Sequence, residues 1–361
     1  MHTKAKKVAI VYDRVNKWGG AERVLLSLHE LFPNADLFTS VYDKKGAPWA
    51  SSFKNVKTSF VQYIPLAKRN HEYFALLMPM AFESFNFSTY DVVISVTSEA
   101  AKGVITGPDT LHLCYCLTPT RYLWSGRKTY FDSALKRAIT KPALTYLRNW
   151  DRTASGRPDK MIGISTEVKK RIQRYYGRES ALIFPPVETE LFINTKKRKG
   201  EYFLLVSRLV GYKKVSLAVK TFNQIGEKLI IVGTGRQERH LKSIANRNIE
   251  FRGTVSDQEL AKLYAGAKAL IFPQHEDFGL VSLEAQAAGT PVIAYKKGGS
   301  QDTVKDKKTG LLFNKQTITS LTRAIQSFNE RDFNPKVLKN HAKQFEKKRF
   351  LDEFATMLSS L

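Results

Sequence analysis

The sequence predicts an α/β protein built from two doubly wound domains, and three observations carry that reading. The first is length, since 361 residues exceed what one ordinary hydrophobic core holds. The second is alternation: short β-branched runs take turns with stretches of helical periodicity, the pattern of parallel sheets covered by helices. The third is a break, where Pro185-Pro186 and the charged run Lys196-Lys197-Arg198-Lys199-Gly200 interrupt the alternation before it restarts. The expected division is 1–186 and 187–335, with a helical segment over 336–361 packing back towards the N-terminal domain.

In the first half, strands are expected over 8–12, 35–41, 56–60, 91–95, 111–116 and 160–164. A helix over 20–31 places Ala21, Val24, Leu25 and Leu28 on one apolar face. In the second half, strands over 202–207, 228–233, 249–252, 269–273 and 291–294 alternate with helices over 214–223, 238–245, 257–266 and 280–288. Each strand is short and nearly continuous in apolar residues, as expected when both faces are covered. Open parallel sheets bind ligands at their strand C-termini, so two such domains facing each other would share one central cleft.

Composition narrows the function. With 58 Lys+Arg against 33 Asp+Glu, the net charge of +25 exceeds what solubility needs and favours anionic partners. No apolar run approaches the roughly 18 residues of a membrane span. Cys114 and Cys116, one residue apart, cannot staple distant segments, which suits a reducing compartment. The first apolar run stops at Asp13-Arg14, too early for a signal peptide, so a cytoplasmic location is expected.

Three segments carry chemistry. In Pro273-Gln274-His275-Glu276-Asp277-Phe278-Gly279-Leu280, a strand ends, a loop offers Glu276, Gly279 allows close backbone approach, and a helix begins that bears Glu284 eight positions after Glu276. Carboxylates suit sugar hydroxyls, and free N–H groups at a helix start suit phosphates. The plain alternative is a loop acid and a solvated helix residue, although a carboxylate between Leu283 and Ala285 needs a partner. In Ser207-Arg208-Leu209-Val210-Gly211-Tyr212-Lys213, two cations five residues apart follow a strand and can neutralise a diphosphate. Singly, each is an ordinary surface charge. In Asn16-Lys17-Trp18-Gly19-Gly20, paired glycines open the first helix and let backbone pass close to phosphate or sugar. No G-x-G-x-x-G occurs, and Gly233-Thr234-Gly235 lacks the third glycine, so a nicotinamide dinucleotide site is weakly supported.

In this order the segments resemble glycosyltransferase family 4, the retaining nucleotide-sugar transferases of GT-B fold, along essentially the whole chain. The likeness is strongest from Ser207 to Thr303, through Ser-Arg-Leu-Val-x-Tyr-Lys, Glu-Asp-Phe-Gly-Leu-Val-x-Leu-Glu-Ala and Gly-Gly-x-x-Asp-Thr-Val. The resemblance implies an α/β GT-B fold of two Rossmann-like domains. It also implies Glu276 near the donor sugar's hydroxyls, Glu284 on the nucleotide ribose, and Arg208 and Lys213 as the diphosphate clamp. Lys214 adjoins Lys213, and the register favours Lys213. Gly19 and Gly20 would close over the phosphates, Phe278, Gly279 and Leu280 would give backbone contacts, and Arg252, Gly253 and Thr254 would line the base. The implied activity is retaining, metal-independent hexosyl transfer, mannose from GDP-mannose first and a UDP-sugar second, onto a lipid-linked or polysaccharide acceptor. No cofactor is implied, the nucleoside diphosphate sugar being the donor substrate, and no Asp-x-Asp marks a metal site.

One position departs from the pattern. Where the family usually has a histidine before Thr-Pro, this chain has Leu117-Thr118-Pro119, which puts the donor sugar in question. That departure motivates a reading from another class, a non-catalytic sugar-nucleotide or glycan-binding protein. His112, Cys114 and Cys116 alternate along one strand, a poor tetrahedral metal site and a natural packing face. Two stretches bear on the excess charge. Aromatics mix with Lys68-Arg69 over 60–87, and Arg127, Lys128, Lys136, Arg137, Lys141 and Arg148 stand against only Asp132 and Asp151. They read either as docking on an anionic membrane, peripheral on the inner face of the cell membrane, or as a solvated face over a core helix. Nucleic acid is not expected, since no module for it is present.

Overall fold

The computed structural model describes residues 6–126 and 133–361. The chain divides into two compact units, Met1–Phe184 with Leu351–Leu361, and Pro185–Phe350. The segment expected over 336–361 therefore divides. The helix Pro335–Lys343 belongs to the second unit, and the helix Lys347–Ser359 runs from the second unit into the first.

The first unit holds a seven-stranded parallel sheet: β1 (Val8–Tyr12), β2 (Asp36–Thr39), β3 (Val56–Thr58), β4 (Val92–Thr97), β5 (Leu111–Cys116), β6 (Lys160–Gly163) and β7 (Ala181–Leu182). Their order is β3-β2-β1-β4-β5-β6-β7. The chain leaves β1 towards β2 and leaves β4 towards β5, so the sheet reverses between β1 and β4. The run expected over 56–60 ends at Thr58 because Ser59 accepts the Val61 N–H at 3.2 Å and starts a 3₁₀ turn. Phe38 of β2 packs edge to face against Phe85 and Tyr90 and at a tilt against Phe87. Phe354 of the C-terminal segment is fully buried, 6.4 Å from the Tyr115 ring.

The second unit holds a six-stranded parallel sheet: β8 (Tyr202–Val206), β9 (Leu229–Val232), β10 (Ile249–Gly253), β11 (Ala267–Phe272), β12 (Val292–Tyr295) and β13 (Gly310–Phe313). The order β10-β9-β8-β11-β12-β13 reverses between β8 and β11. Two apolar clusters, one around Phe203, Leu205 and Phe222 and the other around Leu204, Leu270 and Tyr264, cover its two faces. Strands β7 and β13 were not expected from the sequence. Among the described residues no helix is long and apolar enough to cross a membrane.

Candidate functional site

In the second unit the predicted residues gather at the strand C-termini where the sheet reverses. β8 ends at Val206 and delivers Ser207 and Arg208 to its edge, followed by a 3₁₀ turn over Gly211–Lys213. The glycines of Gly233-Thr234-Gly235 serve this loop. A Cβ on Gly233 would lie 2.0 Å from the Ser207 carbonyl oxygen, and one on Gly235 2.4 Å from that of Leu209. They are spacers that let two loops interlock, and Leu209 N–H donates to Thr234 O at 2.8 Å across the junction.

β11 ends at Phe272 and leads through Pro273 to Glu276 and Phe278. The Lys213 ammonium forms an ion pair with the Glu276 carboxylate, with the two side chains 15% and 14% exposed. Lys214 is exposed and caps the next helix. The Arg208 guanidinium donates to the Tyr212 hydroxyl at 2.6 Å and is otherwise presented to solvent. Gly279 has φ +101 and caps the helix Leu280–Ala287; a Cβ there would meet Phe272 Cζ at 2.8 Å. Sequence reasoning quoted Gly298-Gly299 only within a motif, yet these glycines secure the Glu276 loop. Gly299 N–H donates to Glu276 O at 2.9 Å, and a Cβ on Gly299 would lie 2.2 Å from Phe278 Cα.

Glu284 is 5% exposed and accepts from the Tyr264 hydroxyl at 3.1 Å, so the solvated-helix alternative does not hold for it. On the same helix Ser282 and Gln286 are buried and bond to Thr303. Gly253 ends β10 with φ +62 and open space where a Cβ would stand; Arg252 beside it pairs with Glu250.

Gly19 and Gly20 belong to the first unit, where Gly19 caps the helix Gly20–Leu31. Glu22 in its first turn is buried and accepts from Tyr12 Oη at 2.8 Å. The residues missed by sequence reasoning cluster at this sheet edge. Asp13 is buried and accepts from Thr97 Oγ1 (2.8 Å) and from the N–H groups of Ser98, Glu99, Ala100 and Ala101 (2.7 to 3.0 Å). Arg14 pairs with Glu99 at 2.7 Å; burial pushes the Glu99 carboxyl up while Arg14 draws it back. Lys102 and Asp151, each 1% exposed, form an ion pair at 2.5 Å. Asp151 also accepts from Thr120 Oγ1, Trp124 Nε1 and Tyr176 Oη at 2.7 to 2.9 Å. Asp13 follows directly on a strand, a weak signal; the 49-residue spacing of Lys102 and Asp151 gave none.

His112, Cys114 and Cys116 are buried side by side along β5. His112 Nε2 meets Ser95 Oγ at 2.9 Å, and burial holds its pKa down at about 3. Burial also pushes the Cys114 thiol up to about 11, so both behave as packing groups. In the basic stretch, Arg127, Lys128 and Asp132 lie outside the described residues, as does the Lys136 side chain. Asp151 is no solvated counter-charge, and Arg148 and Arg152 sit over the Trp124 ring at 5.5 and 5.6 Å.

Comparison with known proteins adds the following. Residues 186–347 match the family described as glycosyl transferases group 1. An uncharacterized glycosyltransferase of Methanocaldococcus jannaschii is 27% identical over 202 residues, 54% of this chain and 56% of that protein. A GDP-mannose-dependent alpha-(1-6)-phosphatidylinositol monomannoside mannosyltransferase of Mycobacterium tuberculosis is 29% identical over 198 residues, 46% of this chain and 51% of that protein. The chain thus spans about half the length of these curated relatives. Among solved structures, Anabaena HepE in complex with UDP aligns over 98% of this chain and 100% of its own, with TM-score 0.72 and 16% identity, a likeness of fold.

Proposed function

We propose that this chain, which matches the group 1 glycosyl transferases over residues 186–347, moves a hexose from a nucleoside diphosphate sugar onto a lipid-linked or polysaccharide acceptor. The observation that carries the reading is the Lys213–Glu276 pair beside Arg208, at the reversal point of a parallel sheet and next to the helix start at Gly279. Lys213 and Arg208 neutralise the diphosphate. As the bond from the anomeric carbon to phosphate oxygen breaks, negative charge grows on the leaving group, and these fixed cations stabilise it. Glu276 accepts hydrogen bonds from the sugar's hydroxyls, and Glu284 holds the ribose. The acceptor oxygen bonds to the anomeric carbon on the face the phosphate leaves, its proton passing to the departing phosphate oxygen. Retention follows, and the protein's own cations take the place of a metal.

GDP-mannose is the donor of this proposal, supported by the mycobacterial relative's description. A UDP-sugar is the second reading, supported by the UDP in the HepE structure. A thermal-shift panel of GDP, UDP, ADP and their sugars separates the two, because a ligand that binds the folded state raises its stability. The largest shift names the base. No shift with any nucleotide would remove the transferase reading and leave a glycan-binding protein.

The acceptor's lipid points to an anionic membrane surface as a second partner. Tyr63, Leu66, Tyr73, Leu76 and Met80 are 51% to 85% exposed, with exposed Lys68 and Arg69 among them. The other side of the same segment, Met78, Ala81 and Phe82, is buried, so it is a core element with an apolar outer surface. Leu66 holds φ +67, a left-handed conformation that costs a leucine energy while displaying it to solvent.

A further inference from the structure

The loop that follows β8 carries two cations and one aromatic ring, and the ring touches both cations. Arg208 Nη2 donates to the Tyr212 hydroxyl at 2.6 Å, and the Lys213 ammonium lies over the Tyr212 ring, 5.3 Å from its centroid. The two cations are otherwise held unequally. Lys213 is paired with Glu276, whereas Arg208 is exposed and forms no ion pair among the described residues. An exposed arginine samples many rotamers, and a like charge nearby drives it away, so Arg208 needs a fixed acceptor to stay beside Lys213.

The ring is placed by backbone that is tied down on both sides. Leu209 N–H donates to Thr234 O at 2.8 Å, and Leu209 O accepts from Gln237 N–H at 3.0 Å. Lys213 N–H donates to Val210 O at 3.0 Å and closes the 3₁₀ turn over Gly211–Lys213; Lys214 then takes φ +55 before the helix Val215–Ile225. A left-handed lysine persists only where its surroundings over-determine it, so the turn on which Tyr212 sits is rigid. The residue type matters as much as its place. A carboxylate at position 212 would also hold both cations, but it would cancel their charge and repel phosphates. The phenol oxygen and the ring face are electron-rich yet carry no net charge, so Tyr212 orients both cations and leaves their charge for an anion.

We propose that Tyr212 is the positioning residue of the diphosphate clamp, presenting Arg208 through its hydroxyl and Lys213 through its ring face to one diphosphate at the same time. The ligand class rests on the proposed donor; the positioning by Tyr212 is measured apart from it. The experiment is calorimetric titration of the full chain with GDP, GMP, UDP, UMP and inorganic pyrophosphate. At least one nucleoside diphosphate should bind more tightly than its monophosphate. Tyr212→Phe, which keeps the half-buried ring and removes the hydroxyl, should weaken that diphosphate about tenfold, as for loss of a hydrogen bond to a charged group. The monophosphate Kd and thermal unfolding should stay at wild type. Tyr212→Leu, which removes the ring face as well, should weaken the diphosphate about a further threefold. An unchanged diphosphate Kd in Tyr212→Phe, equal weakening of mono- and diphosphate, or equal binding of the two by the wild type would overturn the proposal and leave nucleotide binding intact. Pyrophosphate bound by the wild type and weakened by Tyr212→Phe, with no nucleotide bound, would uphold the clamp and remove the transferase reading. Binding of neither pyrophosphate nor any nucleotide would overturn both.

Discussion

The Lys213–Glu276 pair can be built only if residues 63 positions apart meet, and the sequence made that meeting legible through strand endings. Arg208 and Lys213 follow β8, Glu276 follows β11, and these strands are neighbours in the sheet. Each partner is largely shielded from water, so either alone would be a poorly solvated charge. Lys213→Ala and Glu276→Ala should each lower transfer by about 100-fold or more, with unchanged circular dichroism; near-normal turnover in either would remove these residues from the site. Asp151 was illegible for the opposite reason. Among arginines and lysines it reads as a counter-ion, and only the fold brings Thr120, Trp124, Tyr176 and Lys102 around it.

Among the elements, legibility followed the length and purity of the apolar run. β1, β5 and the helix Gly20–Leu31 fall on the predicted residues because β1 is unbroken apolar sequence, β5 carries one polar residue, His112, in an apolar run, and the helix keeps Val24, Leu25 and Leu28 on one buried face. β7 has two residues and β13 opens on a glycine, so neither shows a period to read. Asp151 of the helix Lys141–Ala154 ties down the loop after β4 through Lys102 and the loop after β5 through Thr120. Lys102→Met leaves Asp151 buried without its cation and should cost about 3–5 kcal/mol in urea unfolding, whereas Lys102→Met with Asp151→Leu should recover most of that loss. Two rings add a pH dependence. His71 and His112 stay neutral in the fold down to about pH 3, while unfolded histidine titrates near ~6.5. Below ~6.5 the unfolded chain takes up protons that the fold refuses, so stability is full above that pH and falls as pH drops towards 3. Each ring should contribute up to about 1.4 kcal/mol per pH unit. Urea titrations between pH 6 and 5 should show a shallower slope for His112→Gln, and an unchanged slope would mean that this ring titrates normally in the fold.

For the whole molecule, the net charge of +25 now has several destinations. Arg208 and Lys213 are the cations proposed for the diphosphate, Lys102 is spent internally, and Lys68 and Arg69 flank the apolar outer surface of the first unit. Co-sedimentation with phosphatidylglycerol vesicles should retain the chain at low salt, and phosphatidylcholine vesicles should not. Lys68→Glu with Arg69→Glu should weaken retention about 30-fold or more, since each cation near an anionic surface contributes about 1 kcal/mol; no retention on either lipid would mean a merely solvated face.

The return of residues 351–361 to the first unit sets an order of events during synthesis. A ribosome finishes the contiguous second unit, 185–350, before it has made Phe354, the ring that closes over Tyr115. The N-terminal sheet is therefore started first and completed last, and until then the Tyr115 side of its core lacks its cover. A chain stalled just after residue 350 would carry a finished second unit and an unsealed first, a surface for chaperones.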